Sequence, residues 1–360
     1  MFTERTSVGL DVHARSIVAA AIDTQTGELH RARLVPSSQV VIDWLAGLAG
    51  PVAVTYEAGP TGYWLCRALT GAGWRCEVAA PSRLPRASGD RIKTDRRDAL
   101  KLAEALRADQ VVSVAVPSVA REDARDLTRA HNDARLELMS ARHRISKMLL
   151  RRGIVYSGGT TWTITHDRWL RAQRPPGRGA RAAFDDYYDN VVTITARRDR
   201  LKDEILAMAA DSEFTQISDR LACLKGISTL TGFALAAEIG DWHRFTGSSI
   251  GAYLGLVPAE YSSGDKTVRG PITLAGNAHA RRLLVEAAWH HTPGYRPSAA
   301  LRARWDKVTD PNIRARAHAG NRRLATRRGA LANRGKDSRI TNTAIARELA
   351  GWCWSLAVMD

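Results

Sequence analysis

Three apolar runs of strand length come before the first helical stretch, and this constrains the chain more than any other feature. Ser7-Val8-Gly9-Leu10-Asp11-Val12 is the first, Ser16 to Asp23 the second, and Glu28 to Leu34 the third. Thr24-Gln25-Thr26-Gly27 joins the last two as a hairpin turn. The pattern then alternates. Val40 to Leu48 reads as a helix, Val52-Ala53-Val54-Thr55-Tyr56-Glu57 as a fourth strand, and the stretch through Trp64 and Leu69 as a second helix. Cys76-Glu77-Val78-Ala79 is a short fifth strand, and after a basic loop a helix begins near Thr94.

Antiparallel strands followed by α/β crossovers give the element order of an RNase H-like α/β domain, expected over residues 5–110. Four acids take on meaning in that order. Asp11 lies towards the end of the first strand and Glu57 ends the fourth. Asp95 and Asp98 are three apart, so on a helix they share a face. In such a sheet the first and fourth strands are neighbours and the last helix packs across them, so all four carboxylates converge. Magnesium favours a few carboxylates together with substrate phosphate oxygens. Two such ions can orient a scissile phosphate and stabilise both the attacking and the leaving oxygen. Taken singly, each acid is more often a cap or turn residue, and Asp95 and Asp98 also suit a helix N-terminus. Asp23, beside the hairpin turn, and Asp90, in the loop, are the acids expected to stand outside the site.

The formal net charge is +16 over 360 residues, which points to a polyanionic partner. Residues 302–339 hold 12 Lys/Arg against three acids, a tract that counterion release from a nucleic acid would reward. Cys66, Cys76, Cys223 and Cys353 have no metal-site spacing. The N-terminus does not read as a signal peptide and no apolar run reaches the length of a membrane span. A reduced, cytoplasmic protein is expected.

The middle of the chain, residues 120–212, reads as a helical coiled-coil linker. Leu127, Ala134, Ala141 and Met148, interleaved with His131, Leu138 and Ile145, form one seam. Phe184, Tyr187, Val191, Ile194, Leu201, Ile205 and Met208 form another. The two make either a hairpin or a dimer arm. A mainly α-helical third region is expected over 220–360. Leu224 to Gly232 resembles half of a helix-hairpin-helix, offering amides to phosphate, or is a plain packing turn. Further on, Ser262-Ser263-Gly264-Asp265-Lys266 forms a polar loop between apolar segments. A serine hydroxyl needs activation to act as a nucleophile, and Lys266, Arg269, Arg281 and Arg282 lie close in sequence to hold a phosphate. Taken alone, a Ser-Ser-Gly loop is more often only flexible.

With these stretches together, the chain resembles the insertion-sequence family 110 of transposases, related to Piv invertases. The likeness rests on Val8-Gly9-Leu10-Asp11-Val12-His13 with Tyr56-Glu57-Ala58-Gly59, on Lys93-Thr94-Asp95-Arg96-Arg97-Asp98-Ala99, and on Gly226, Tyr253 to Pro258, Ser262-Ser263-Gly264 and Gly276-Asn277. It implies a RuvC-like domain, a coiled-coil linker and a C-terminal transposase domain carrying the serine loop and a basic tail. It assigns the DEDD metal-binding set to Asp11, Glu57, Asp95 and Asp98, and the nucleophile to Ser263, with Ser262 as second choice. Lys93, Arg96, Arg97, Lys266, Arg269, Arg281 and Arg282 are the expected nucleic-acid contacts. The resemblance also implies donor and target DNA, a noncoding guide (bridge) RNA and a homo-oligomer as partners, in a nucleoid-associated prokaryotic setting. Asp265 stands where a second glycine is common, and the likeness fades beyond about Thr292. That tail binds nucleic acid by charge and Trp stacking, or is a helix with buried tryptophans. Two rival readings follow from the same residues: a metal-dependent junction resolvase that uses only the acids, and a non-catalytic nucleic-acid-binding protein.

Overall fold

The computed structural model describes residues 4–84, 94–263 and 268–359. Two compact units divide the chain, Met1–Ser118 and Val119–Asp360.

The first unit is built on a five-stranded mixed sheet. Its strands are β1 (Thr6–Val12), β2 (Ile17–Asp23), β3 (Leu29–Leu34), β4 (Val52–Glu57) and β5 (Arg75–Ala79), in spatial order β3-β2-β1-β4-β5. β1 pairs antiparallel with β2 and parallel with β4. The helices are α1 (Ser38–Ala46), α2 (Trp64–Gly71) and α3 (Asp95–Arg107). Successive strand residues face opposite sides of the sheet, and the sequence uses both. Val8, Leu10, Val54, Tyr56 and Val78 pack with Val41 and Leu45 of α1 and Leu65 and Leu69 of α2. On the other face Val18 and Ala20 pack with Ala99 of α3. At Gly9 the backbone of α3 lies directly on β1: a Cβ there would stand 2.1 Å from the Ala99 carbonyl oxygen. Small residues on this face let α3 sit close enough to bring its first turn to the end of β1.

The second unit is mostly helical. α4 (Val119–Leu150) and α6 (Arg178–Ala210) flank the short α5 (Ile164–Ala172). Leu138, Ala141, Ile145 and Met148 of α4 bury against Phe184, Val191 and Ile194 of α6. Near the other end, Ala124 of α4 meets Ile205 and Ala209 of α6 and Phe233 of α8. The two seams therefore pair antiparallel within one chain, as a hairpin. α7 (Thr215–Ala222), α8 (Thr229–Ile239) and α9 (Ser249–Tyr253) follow, then the two-stranded hairpin β6 (Pro258–Glu260) and β7 (Arg269–Ile272). α10 (Ala278–Ala288), α11 (Ala299–Trp305), α12 (Pro311–Asn333) and α13 (Ser338–Ala357) complete the unit around Leu224, Leu254, Leu284, Leu324 and Leu349. The α7–α8 turn is a packing unit. Lys225 N donates to Asn321 Oδ1 at 2.7 Å, while Trp305 Nε1 and Asn321 Nδ2 both donate to the Cys223 carbonyl. Its polar backbone groups are thus partly taken up by the C-terminal helices. Among the described residues no helix is long and apolar enough to cross a membrane.

Candidate functional site

The parallel register aligns Leu10 of β1 with Tyr56 of β4. Asp11 and Glu57 occupy the next position on each strand. Both follow residues of the α1/α2 face, so pleating puts them on the face that α3 covers. α3 begins at Asp95, with Thr94 capping it by accepting from Arg97 N. The acids complement the positive end of that helix.

Asp11, His13 and Asp95 come together: one ligand atom from each lies within 4.8 Å of the others. His13 Nε2 is 3.0 Å from Asp11 Oδ2 and 3.9 Å from Asp95 Oδ1. Burial raises the Asp11 pKa, hydrogen bonding to His13 lowers it, and the charges of Asp95 and Asp98 raise it further. Asp98 therefore acts on Asp11 electrostatically, although neither it nor Glu57, which is exposed at the end of β4, belongs to the close trio. Crowded carboxylates at the end of a sheet, with an imidazole among them, are a donor set suited to a divalent cation. Asp23 stands apart, as expected. Paired with Thr6 in register, it sits at the far end of β1, where it accepts from Arg5 at 3.0 Å and from the Gln25 and Thr26 amides. Asp90 and Lys93 lie outside the described residues.

Beside the trio, a groove of about 690 Å³ is lined by Val18, Arg31, Arg33, Thr94, Asp95 and Arg96. Arg96 is one of the expected nucleic-acid contacts; Arg31 and Arg33 of β3 line the same groove and were not singled out, because an exposed edge strand gives no motif to notice. Arg97 is exposed in the same first turn of α3.

The serines are on the hairpin of the second unit. Ser262 and Ser263 are exposed just after β6, and Ser262 Oγ donates to Glu260 Oε1 at 2.9 Å. Gly264, Asp265 and Lys266 lie outside the described residues. Arg269 opens β7 in register with Glu260. The hairpin's base is tightly built. Gly276 has φ +67°, and a Cβ there would lie 1.8 Å from the Tyr253 carbonyl oxygen. Arg281 Nη1 donates to the Leu254 and Ala275 carbonyls at 3.0 and 2.7 Å, and Arg282 Nη1 to Glu286 Oε2 at 2.8 Å. Arg281 thus clamps the hairpin's base.

Glu238, at the end of α8, was missed by sequence reasoning. It is 0 % exposed. Arg129 Nε and Nη2 donate to it at 2.8 and 3.0 Å, Asn277 Nδ2 at 2.7 Å, and His279 Nδ1 lies 3.1 Å away. Arg125 stands at 4.0 Å. Asn277 also caps α10 by accepting from Ala280 N. The available signal was a lone acid in an otherwise apolar helix, since a charge buried there must be paired. Burial alone would raise its pKa; hydrogen bonds from His279, Arg129 and Asn277 outweigh that and hold it at about 2.

A pKa held below the unfolded value contributes stability that is complete above the unfolded pKa, near 4.5, and lost as pH falls towards about 2. The full loss is about 3 kcal/mol. Urea midpoints should therefore fall between pH 5 and pH 3 more steeply for the wild type than for Glu238→Gln, which at pH 7 should be less stable by about the same 3 kcal/mol. Parallel pH profiles for the two proteins would contradict this.

An acid cluster with donors for a divalent cation, beside a basic groove on a chain of net charge +16, is equipment that suits work on nucleic-acid backbones. Two family models match. One, a transposase model of the DEDD IS110 type, covers residues 8–152, and the other, described as "Transposase IS116/IS110/IS902 family", covers residues 218–304. A Sinorhizobium fredii protein bearing a transposase name, y4qE, is 36% identical over 358 residues, 97% of this chain and 88% of the relative. The transposase for insertion sequence element IS1533 of Leptospira borgpetersenii is 30% identical over 79% of this chain and 84% of its own. That for IS1111A of Coxiella burnetii is 25% identical over 78% and 76%. The chain belongs to the IS110/IS116/IS902 transposase family: it is a transposase of an IS110 family insertion element, and it acts on DNA.

Proposed function

We propose that this transposase cuts and rejoins donor and target DNA through a serine of the 262–263 loop, working with a magnesium site on an RNase H-like, RuvC-type domain. The observation that carries the reading is the meeting of Asp11 and Asp95, from the first strand and from the helix after the last, at one end of the sheet. The order β3-β2-β1-β4-β5 supports the fold assignment. Asp11 and Asp95 would hold the metal, with Glu57 and Asp98 completing the set and His13 beside them. Bound magnesium supplies charge stabilisation at a scissile phosphate.

The chain's own residues do the rest. Arg31, Arg33 and Arg96 hold the DNA backbone in their groove. The serine Oγ bonds to phosphorus as the ester bond to the leaving nucleoside oxygen breaks, and that oxygen takes up a proton. Ser263 is the first choice of nucleophile. For Ser262, Glu260 is the group placed to accept the hydroxyl proton. Attack by a hydroxyl of the exchanged strand then reverses the step and frees the serine. The linker and the serine-bearing region act as separate functional segments, 120–212 and 220–360. A guide RNA, in keeping with the net charge of +16, and further copies of the chain, as the family resemblance implies, complete the assembly.

The test is capture. Full-length protein is incubated with magnesium, RNA transcribed from the flanking noncoding sequence, and labelled element-junction and target DNA. A denaturant-resistant adduct mapped by mass spectrometry to Ser263 or Ser262 is expected, absent from a variant with both serines changed to Ala. Cleavage that persists in that double variant, without an adduct, would leave a metal-dependent nuclease and sink the serine chemistry.

A further inference from the structure

The second unit contains a cavity of about 1090 Å³ between the β6–β7 hairpin and α13, larger than the groove beside the acids. Two kinds of surface line it. Leu256, Ile272 and Ile340 give apolar walls together with Trp352 and Trp354, and Ile340 is 63% exposed. Arg316, Arg327, Arg339 and Arg347 line it as well, against one acid, Glu348. Glu348 is already held by Arg327 Nε at 2.7 Å and Arg323 Nε at 3.0 Å. The cavity therefore carries a surplus of positive charge.

The tryptophans are held in place. The Arg316 guanidinium lies 4.6 Å from the Trp352 ring centroid while its Nε donates to Ser355 Oγ. Trp352 packs on α12 at Gly320, where a Cβ would lie 2.9 Å from the ring. Trp354 packs at Gly247, and its Nε1 is buried with no hydrogen-bond partner among the described residues. A ligand that suits such a cavity has a flat apolar part with hydrogen-bonding edges and an anionic part. That is the chemistry of a nucleotide. A second copy of a chain with net charge +16 fits poorly.

We propose that this cavity captures an unpaired nucleotide of the DNA, its base against the tryptophan wall and its phosphates on Arg339 and Arg347. Pro258, Gly270 and Ile272 of the serine-bearing hairpin form part of the same wall, so a strand held here is delivered to that hairpin. The proposal rests on action on DNA and not on the serine chemistry.

The experiment uses the full-length chain without magnesium and a 10-nucleotide DNA single strand carrying one 2-aminopurine. Stacking should quench the fluorophore at least about twofold on binding. An abasic residue at that position should weaken binding about tenfold, the scale of one stacked base. Thr343→Trp, which narrows the cavity, should weaken the quench. Arg339→Glu with Arg347→Glu, at two exposed positions, should weaken binding tenfold or more and leave the melting temperature in place. An unquenched fluorophore, equal affinity for the abasic strand, or unchanged binding by the folded arginine variant would overturn the proposal. So would a tenfold preference for RNA of the same sequence, or a change of sedimentation in Thr343→Trp, which would mark a protein interface. Any of these failures alongside normal adduct formation removes the pocket alone; loss of the adduct with base capture intact removes only the serine reaction.

Discussion

Asp11→Asn should reduce DNA cleavage and strand joining by at least about 10³-fold while leaving the fold intact. A metal ion contributes several kcal/mol of charge stabilisation to phosphoryl transfer, and about 4 kcal/mol corresponds to three decades of rate. Asp11 is the most buried member of the trio, 3.0 Å from His13 and grouped with Asp95. Its neutral isostere keeps the shape and removes the charge that competes with Asp95 and Asp98. Without added metal, the variant should melt at or slightly above the wild-type temperature. Ligand that binds only the folded state raises stability by mass action. Millimolar magnesium should therefore raise the wild-type melting temperature and leave the variant's unchanged. A variant that cleaves normally, or that gains the same thermal shift, would remove Asp11 from the proposed metal site.

Gly9→Ala should cost about 3 kcal/mol and lower activity by more than that loss explains. The added Cβ would stand 2.1 Å from Ala99 O, 2.4 Å from Ala103 N and 2.7 Å from Leu102 Cβ. Two of these are backbone atoms, so no rotamer change can make room. α3 must lift off β1, an overpacking at the upper end of what cores tolerate. Asp95 and Asp98 ride on the first turn of that helix. The melting temperature should drop by roughly 10 °C on the scale of a domain this size, and cleavage should remain impaired at temperatures where the variant is folded. Gly71→Ala, which meets nothing within 4 Å, is the control and should change neither. Equal behaviour of the two variants would mean that α3 does not lie on β1.

The first unit was legible because its apolar runs have strand length and its acids fall at element ends. Pairing Asp11 with Asp95 needed only the sheet order. What could not be read was proximity decided by packing. His13 follows β1 by one residue and looked like part of a motif, not a partner of Asp11. Arg281 and Arg282 read as phosphate contacts because their charge is visible in sequence, whereas the Leu254 and Ala275 carbonyls and Glu286 that hold them are visible only in the fold. Glu238 was hidden by its Ala-rich helix, and its four polar neighbours come from α4 and from the start of α10. The basic tract of residues 302–339 spans α11, α12 and the start of α13, and the use of its arginines depends on which element faces them.

The grip on Glu238 has a mechanical meaning. Arg125 and Arg129 belong to α4, whose 32 residues make a rod of about 48 Å. Asn277, which donates to the same carboxylate, adjoins Gly276, which is wedged under Tyr253 at the foot of the serine hairpin. Rod and hairpin base are therefore fastened to one another through a single buried carboxylate.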